Sequence, residues 1–186
     1  ISKEHNILVG LAMIIFNLAE YYALIGNVRM ARDTLIDGEK YVGISNPDLM
    51  QQWKLRLEAL FELFSNTPSL FNALSLIDTA LEITEKMGDG YYYFTIFNKL
   101  VKAAILWKMD RISEGDELFQ QVMKYFNEHD LQNDIRYAER LEGHFSPHVQ
   151  RIENKPGHEK IFDASSTFTM TSTQTEFSYQ RQLKYL

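Results

Sequence analysis

A chain of 186 residues with 45% hydrophobic and 24% charged side chains has the length for a real core and the composition of an ordinary globular protein. Its formal charge of −6 provides no basic footprint, so nucleic acid is not an expected partner. The absence of cysteine excludes a disulfide framework, thiolate metal sites and a thiol nucleophile, and it leaves the compartment open.

Ile1 to Ile25 carries the first predicted helix. Asn6 is its candidate N-cap, and Met13, Phe16, Ala19, Tyr22 and Ala23 recur at helical spacing. The apolar run within it, Ile7 to Phe16, is broken by Gly10 and is too short to span a bilayer. The chain opens on Ile1 with no basic leader, and it reads as a fragment of a longer protein rather than as a signal peptide. Gly26-Asn27 ends the helix in a form that tolerates positive φ. A second helix is expected from Val28 to Val42, with Met30, Ala31, Thr34, Leu35 and Gly38 on its inward face. Ser45-Asn46-Pro47-Asp48 is a strong start signal for a third, which runs to Phe64 with Trp53, Leu57, Leu60, Phe61 and Phe64 inward.

After the turn Asn66-Thr67-Pro68, a fourth helix is expected over 69–87, with Phe71, Ala73, Leu74, Ile77, Ala80, Leu81 and Thr84 on one side. Gly88-Asp89-Gly90 breaks it. The fifth, Tyr91 to Met109, is rich in aromatics, and a face of that kind at helical spacing reads as core. The sixth follows Asp110, with Ser113 as candidate cap and Glu114, Asp116 and Glu117 suited to a first turn. Leu131 to Phe145 reads as a seventh helix whose apolar edge, Ile135, Ala138, Leu141 and Phe145, suits a terminal cap. Ser146-Pro147 stops the helical pattern. The chain thus divides into a helical domain, 1–145, and an irregular tail, 146–186.

The first six helices repeat in pairs. A small residue stands at Ala31, Ala73 and Gly115, a step of 42 residues. Ala19, Phe61 and Ala103 keep the same step, as do Leu35, Ile77 and Phe119, and then Gly38, Ala80 and Val122. A fixed period of this size is the mark of stacked helical pairs, since one pair cannot bury its apolar face alone.

Ile15, Leu18, Ala19 and Tyr22, with Gly26, Ala31 and Gly38, resemble the pattern of tetratricopeptide repeats, and Pro68, Ala73 and Ala80 continue it. The step exceeds the usual 34 residues, as in the longer repeats of bacterial regulators, signalling ATPases and kinesin light chains. The resemblance covers Asn6 to Phe126. It implies an all-α fold, a right-handed solenoid of antiparallel hairpins: three hairpins, a capping helix and an irregular tail. It also implies a cytoplasmic scaffold that binds protein or peptide on its concave face, or else a sensor or relay segment of a larger signalling protein that answers to a short peptide. By that geometry the concave face is Phe16, Glu20 and Ala23, then Glu58, Glu62 and Ser65, then Phe97, Leu100, Trp107 and Lys108. Its glutamates call for a cationic or neutral ligand with apolar anchors.

No phosphate loop, HExxH or GxSxG occurs, and no catalytic constellation can be named, so the chain reads as a non-enzyme without metal or cofactor. His144, His148 and His158 suit surface or loop roles better than a metal site, because Pro147 interrupts the helix. The tail carries Ile161, Phe162, Phe168, Met170, Phe177, Tyr179, Leu183 and Leu186 as candidate anchors, and is expected to dock in extended form on its own array or on a second copy. Within it, Thr173-Gln174-Thr175 resembles the core bound by dynein light chains as an added strand.

Overall fold

A computed structural model describes residues 3–40 and 47–149. Among these the chain is helical: α1 Lys3–Leu24, α2 Val28–Glu39, α3 Pro47–Leu63, α4 Leu70–Met87, α5 Tyr92–Lys108, α6 Ile112–Glu128 and α7 Gln132–Phe145, with a short 3-10 turn, Asp89–Tyr91, ahead of α5. No strand occurs among the described residues. The tail beyond residue 149, with its anchors, His158 and Thr173-Gln174-Thr175, lies outside them, as does the expected end of the second helix at Val42.

The helix ends follow from local chemistry. Pro47 opens α3, where its fixed φ suits a helix and its missing N–H costs nothing. Three connections share one device, in which the third residue beyond the helix returns its N–H to a carbonyl five residues back. These bonds are Asn27 to Tyr22 at 2.9 Å, Arg111 to Leu106 at 2.9 Å and Leu131 to Phe126 at 2.9 Å. The residue before each donor is left-handed: Gly26 at φ 79°, Asp110 at φ 65° and Asp130 at φ 52°. Glycine meets that demand freely, and aspartate tolerates it better than most residues. Asn27 also caps α2, its side chain accepting from the Met30 N–H at 3.2 Å. Two expected caps are displaced. Asn6 lies inside α1, which already begins at Lys3, and Ser113 lies inside α6, where Arg111 takes the cap position.

Consecutive helices pack antiparallel. In α5 and α6, Gly115 sits at Ala103 and Trp107, while Lys99 reaches Gln121 from the other end. In α4 and α5, Asp78 pairs with Lys102 at 2.7 Å, and the Ala80 carbonyl accepts from Asn98 at 3.3 Å. Alternate helices run parallel. Phe16 of α1 meets Trp53 of α3 edge-on at 5.5 Å, and one turn later Glu20 meets Arg56. Tyr93 and Phe97 of α5 meet Asp134 and Tyr137 of α7 in the same order.

The small residues of the 42-residue register, Ala31, Ala73 and Gly115, are all buried, Gly115 against Ala103 and Trp107 of α5. Two residues assigned to inward faces are not. Phe71 is 81% exposed in the first turn of α4, and Met30 is exposed beside Ala31. A helix turns 100° per residue, so the stripe Ala31–Leu35–Gly38 that meets α1 carries Met30 round to the outer side. No described helix is long and apolar enough to cross a membrane.

Candidate functional site

The odd-numbered helices converge on one point, and each contributes a side chain to it. Glu20 of α1 pairs with Arg56 of α3 at 3.3 Å, and both are buried. Tyr137 of α7 donates its hydroxyl to the other oxygen of Glu20 at 2.7 Å. The Arg56 guanidinium lies between two rings, 5.5 Å from the centre of Trp53 and 5.3 Å from that of Phe97 on α5. Phe97 in turn touches Tyr137 at 5.6 Å and Phe126 at 5.4 Å. Beside this lies a buried amide pair. Asn98 donates to Gln52 at 3.1 Å and to the Ala80 carbonyl, tying α3, α4 and α5.

The cluster is incompletely paired. Gln52 Nε2, Trp53 Nε1, Arg56 Nε and Nη1, and Asn98 Oδ1 are buried without a hydrogen-bond partner. Cation–π attraction from two rings offsets part of the cost for Arg56, since a desolvated guanidinium over an aromatic face gains about 2 kcal/mol. What the arrangement can do is hold four helices in register. Burial first, and then the charge of Glu20, holds the Tyr137 hydroxyl well above its usual 10.0. Burial, the Asp134 charge and the hydrogen bond to Asp134 at 3.2 Å do the same for Tyr93.

This predicts an alkaline limit to stability. A raised folded-state pKa means that stability is fully present below the unfolded value of 10.0 and falls as pH rises above it, since the unfolded tyrosines release protons that the folded ones retain. Urea midpoints measured from about pH 8 to about pH 11 should therefore drop, and the drop should be shallower in Tyr137→Phe. Equal slopes for the two proteins would contradict the linkage.

The residues assigned to a concave face fall into two groups. Phe16, Ala23, Leu100 and Trp107 are in the core, and Glu20 is closed into its ion pair, so none of these five lines an open groove. The inner sides of α1, α3 and α5 are filled by one another and by α7, whose Phe145 packs on Phe64 at 4.9 Å while Tyr137 reaches Glu20. The accessible group is Glu58, Glu62, Ser65, Phe97 in part, and Lys108. Its glutamates already have cationic neighbours: Arg32 of α2 lies 3.1 Å from Glu62, and Lys54, which pairs with Glu39 at 2.6 Å, lies 3.9 Å from Glu58. Burial raises the Glu58 pKa, with Lys54 opposing. Lys108 lies over the Phe145 ring at 5.3 Å.

A second polar group joins the α5–α6 turn to the chain after α7. Asp116 accepts from the Trp107 indole at 2.8 Å and faces His148 Nε2 at 2.9 Å. Burial disfavours its charge, but these two bonds outweigh burial and hold the Asp116 carboxyl below the usual range. His144, lowered by burial and by Arg140, packs edge-on against Phe64 at 5.5 Å. Among the described residues no three or more His, Cys, Asp or Glu side chains converge as metal ligands would.

Sequence reasoning missed Gln52, Arg56, Asn98 and Tyr137. The signal was present. Gln52 and Arg56 interrupt the apolar run of α3, and Asn98 stands 42 residues after Arg56 on the same face of α5. No protein-family model, curated protein or solved structure matches this chain.

Proposed function

We propose that this chain is a protein-interaction module, built as a right-handed solenoid of antiparallel helical hairpins of the tetratricopeptide type and binding protein or peptide segments. The arrangement is supported by antiparallel contacts between consecutive helices, parallel contacts between alternate ones, and burial of small residues at a 42-residue step. The observation that carries the binding role is the concentration of exposed apolar side chains on the first hairpin among the described residues. Of the large hydrophobic side chains exposed in the described residues, Leu11, Ile14, Leu18, Ile25, Met30 and Ile36 belong to α1, α2 and their turn, against Phe71 and Tyr92 elsewhere. Exposed apolar side chains gathered on one hairpin mark an interaction site where singly scattered ones do not. Glu58 and Glu62 keep the concave edge as an accessory surface for cationic groups, weakened by their ion pairs.

A relay role within a larger signalling protein is the second reading. It is favoured by the Tyr137–Glu20–Arg56 bridge, which joins the last described helix directly to the first, so a displacement of α7 is felt at α1. The test of the interaction role is to pan a random peptide-display library on the immobilised full chain. Enriched peptides should lose at least tenfold in affinity when Ile14→Asp or Glu62→Lys is introduced. Failure to enrich any peptide, or enrichment that neither substitution affects, would refute binding at these surfaces.

A further inference from the structure

We infer that the point where α1, α3, α5 and α7 converge is an internal hydration site, in which ordered water bridges the unpaired polar atoms of Gln52, Trp53, Arg56 and Asn98. This site lies in the interior and is independent of the interaction surfaces proposed above. Its four side chains form one contiguous group. Gln52 and Arg56 stand one helical turn apart on the same side of α3. The Arg56 guanidinium lies over the Trp53 ring at 5.5 Å, and Asn98 of α5 donates to Gln52 at 3.1 Å. Among the described residues, the buried side-chain nitrogens and oxygens that lack a partner all belong to this group. An enclosed polar atom left unpaired forfeits the hydrogen bonds it has with water in the unfolded chain, so native interiors pair such atoms with protein or with water. Five of them on side chains that neighbour one another point to a shared partner rather than to separate faults of packing.

The chemistry of the group selects the occupant. Gln52 Nε2, Trp53 Nε1 and Arg56 Nε and Nη1 are donors, and Asn98 Oδ1 is an acceptor. A protein segment cannot reach them, because the four residues are at most 3% exposed. An anion would suit the donors, but the Glu20 carboxylate already balances the Arg56 charge at 3.3 Å, and a second negative charge would be buried unpaired. Water meets both demands. It accepts from the nitrogens, and it gives its own hydrogens to Asn98 Oδ1 and to the remaining lone pairs of Glu20, whose two oxygens hold Tyr137 and Arg56. The distances agree with a centre that has a further participant. Arg56 stands 3.3 Å from Glu20, against about 2.7–2.9 Å for a charge-assisted bond between groups in direct embrace. Asn98 likewise stands 3.3 Å from the Ala80 carbonyl.

The experiment is oxygen-17 relaxation dispersion of water on the full 186-residue chain, which detects water held for longer than the protein tumbles, together with water cross-relaxation read at the indole N–H protons. Trp53 and Trp107 are the two tryptophans, and Trp107, which donates to Asp116 at 2.8 Å, serves as the internal comparison. The expected result is long-lived water with a cross peak at the Trp53 indole. The dispersion should fall by about half or more in Gln52→Met/Asn98→Leu, which replaces the amide pair by apolar groups of similar size. Circular dichroism and the thermal midpoint establish that this variant is folded; should it fold poorly, Asn98→Leu alone is read in its place. A full chain without long-lived water overturns the proposal. So does long-lived water that gives no cross peak at Trp53, or that persists undiminished in the folded variant, since it then lies elsewhere. Broadening of the chloride resonance by the full chain that disappears in Arg56→Met would identify an anion as the occupant and overturn the proposal as well.

Discussion

Truncating Arg56 to alanine is expected to destabilise the fold by about 3–5 kcal/mol, the range for removing one partner of a buried ion pair. The Glu20 carboxylate would remain enclosed, with the Tyr137 hydroxyl as its remaining hydrogen-bond donor at 2.7 Å. The rings of Trp53 and Phe97 would lose the cation between them, and a void would open where α1, α3, α5 and α7 meet. The pair itself is a modest source of stability, because two of the Arg56 nitrogens are buried without partners and both charges have been taken out of water. The double variant Glu20→Gln/Arg56→Met should therefore cost less than Arg56→Ala alone, since glutamine still accepts from Tyr137 and methionine refills the space between the rings. Urea denaturation of the single and double variants measures both quantities. A loss of under about 1 kcal/mol for Arg56→Ala would mean that the pair is solvated and that the convergence point is not closed.

The helices were legible in the sequence because helical periodicity and the 42-residue step report on their apolar faces. Ala31, Ala73 and Gly115 recur at one spacing and are buried alike. The turns were partly legible. Gly26 announced a left-handed residue, whereas Asp110, at the same place in the third unit, did so only through its register, because aspartate has many other uses. The convergence point was not legible, and the reason is geometric. Periodicity says which side of a helix is apolar but not which distant element packs on it, and here α7 decides whether the inner face is a groove or a core. Phe16, Leu100 and Trp107 read equally well as groove or core from spacing alone. Only the contact of Tyr137 with Glu20, 117 residues away, shows that the inner side is filled. Arg56 escaped notice for a related reason: a lone arginine in an apolar stripe reads as a solvated edge until the rings on both sides of it are known.

Glycine-to-alanine substitutions should have opposite signs at three helical positions. In α6, a Cβ added at Gly115 would lie 2.6 Å from Trp107 Cδ1, 2.7 Å from its Nε1 and 3.0 Å from the Ala103 carbonyl oxygen. The indole cannot swing aside cheaply, because it donates to Asp116 at 2.8 Å and packs on Phe119 at 5.2 Å, and the carbonyl belongs to the α5 backbone. In α2, a Cβ at Gly38 would lie 2.7 Å from Phe16 Cε1 and 3.0 Å from Ile15 Cγ2, and the Phe16 ring is fixed against Trp53. Alanine adds about 1 kcal/mol of helix propensity at either site, but overpacking a closed contact costs about 1–3 kcal/mol. Gly115→Ala and Gly38→Ala should therefore each be destabilising, by about 1 kcal/mol net. In α7, by contrast, a Cβ at Gly143 meets nothing within 4 Å, so Gly143→Ala retains the propensity gain and should stabilise by up to about 1 kcal/mol. Thermal midpoints should move by about 2–4 °C per kcal/mol in a chain of this size, downward for the first two variants and upward for the third. The indole N–H resonance of Trp107 supplies an independent reading, since it should shift in Gly115→Ala as the bond to Asp116 is disturbed and stay in place in Gly143→Ala. A stabilised Gly115→Ala with an unmoved indole resonance would show that α5 and α6 cross at a wider distance than the register requires.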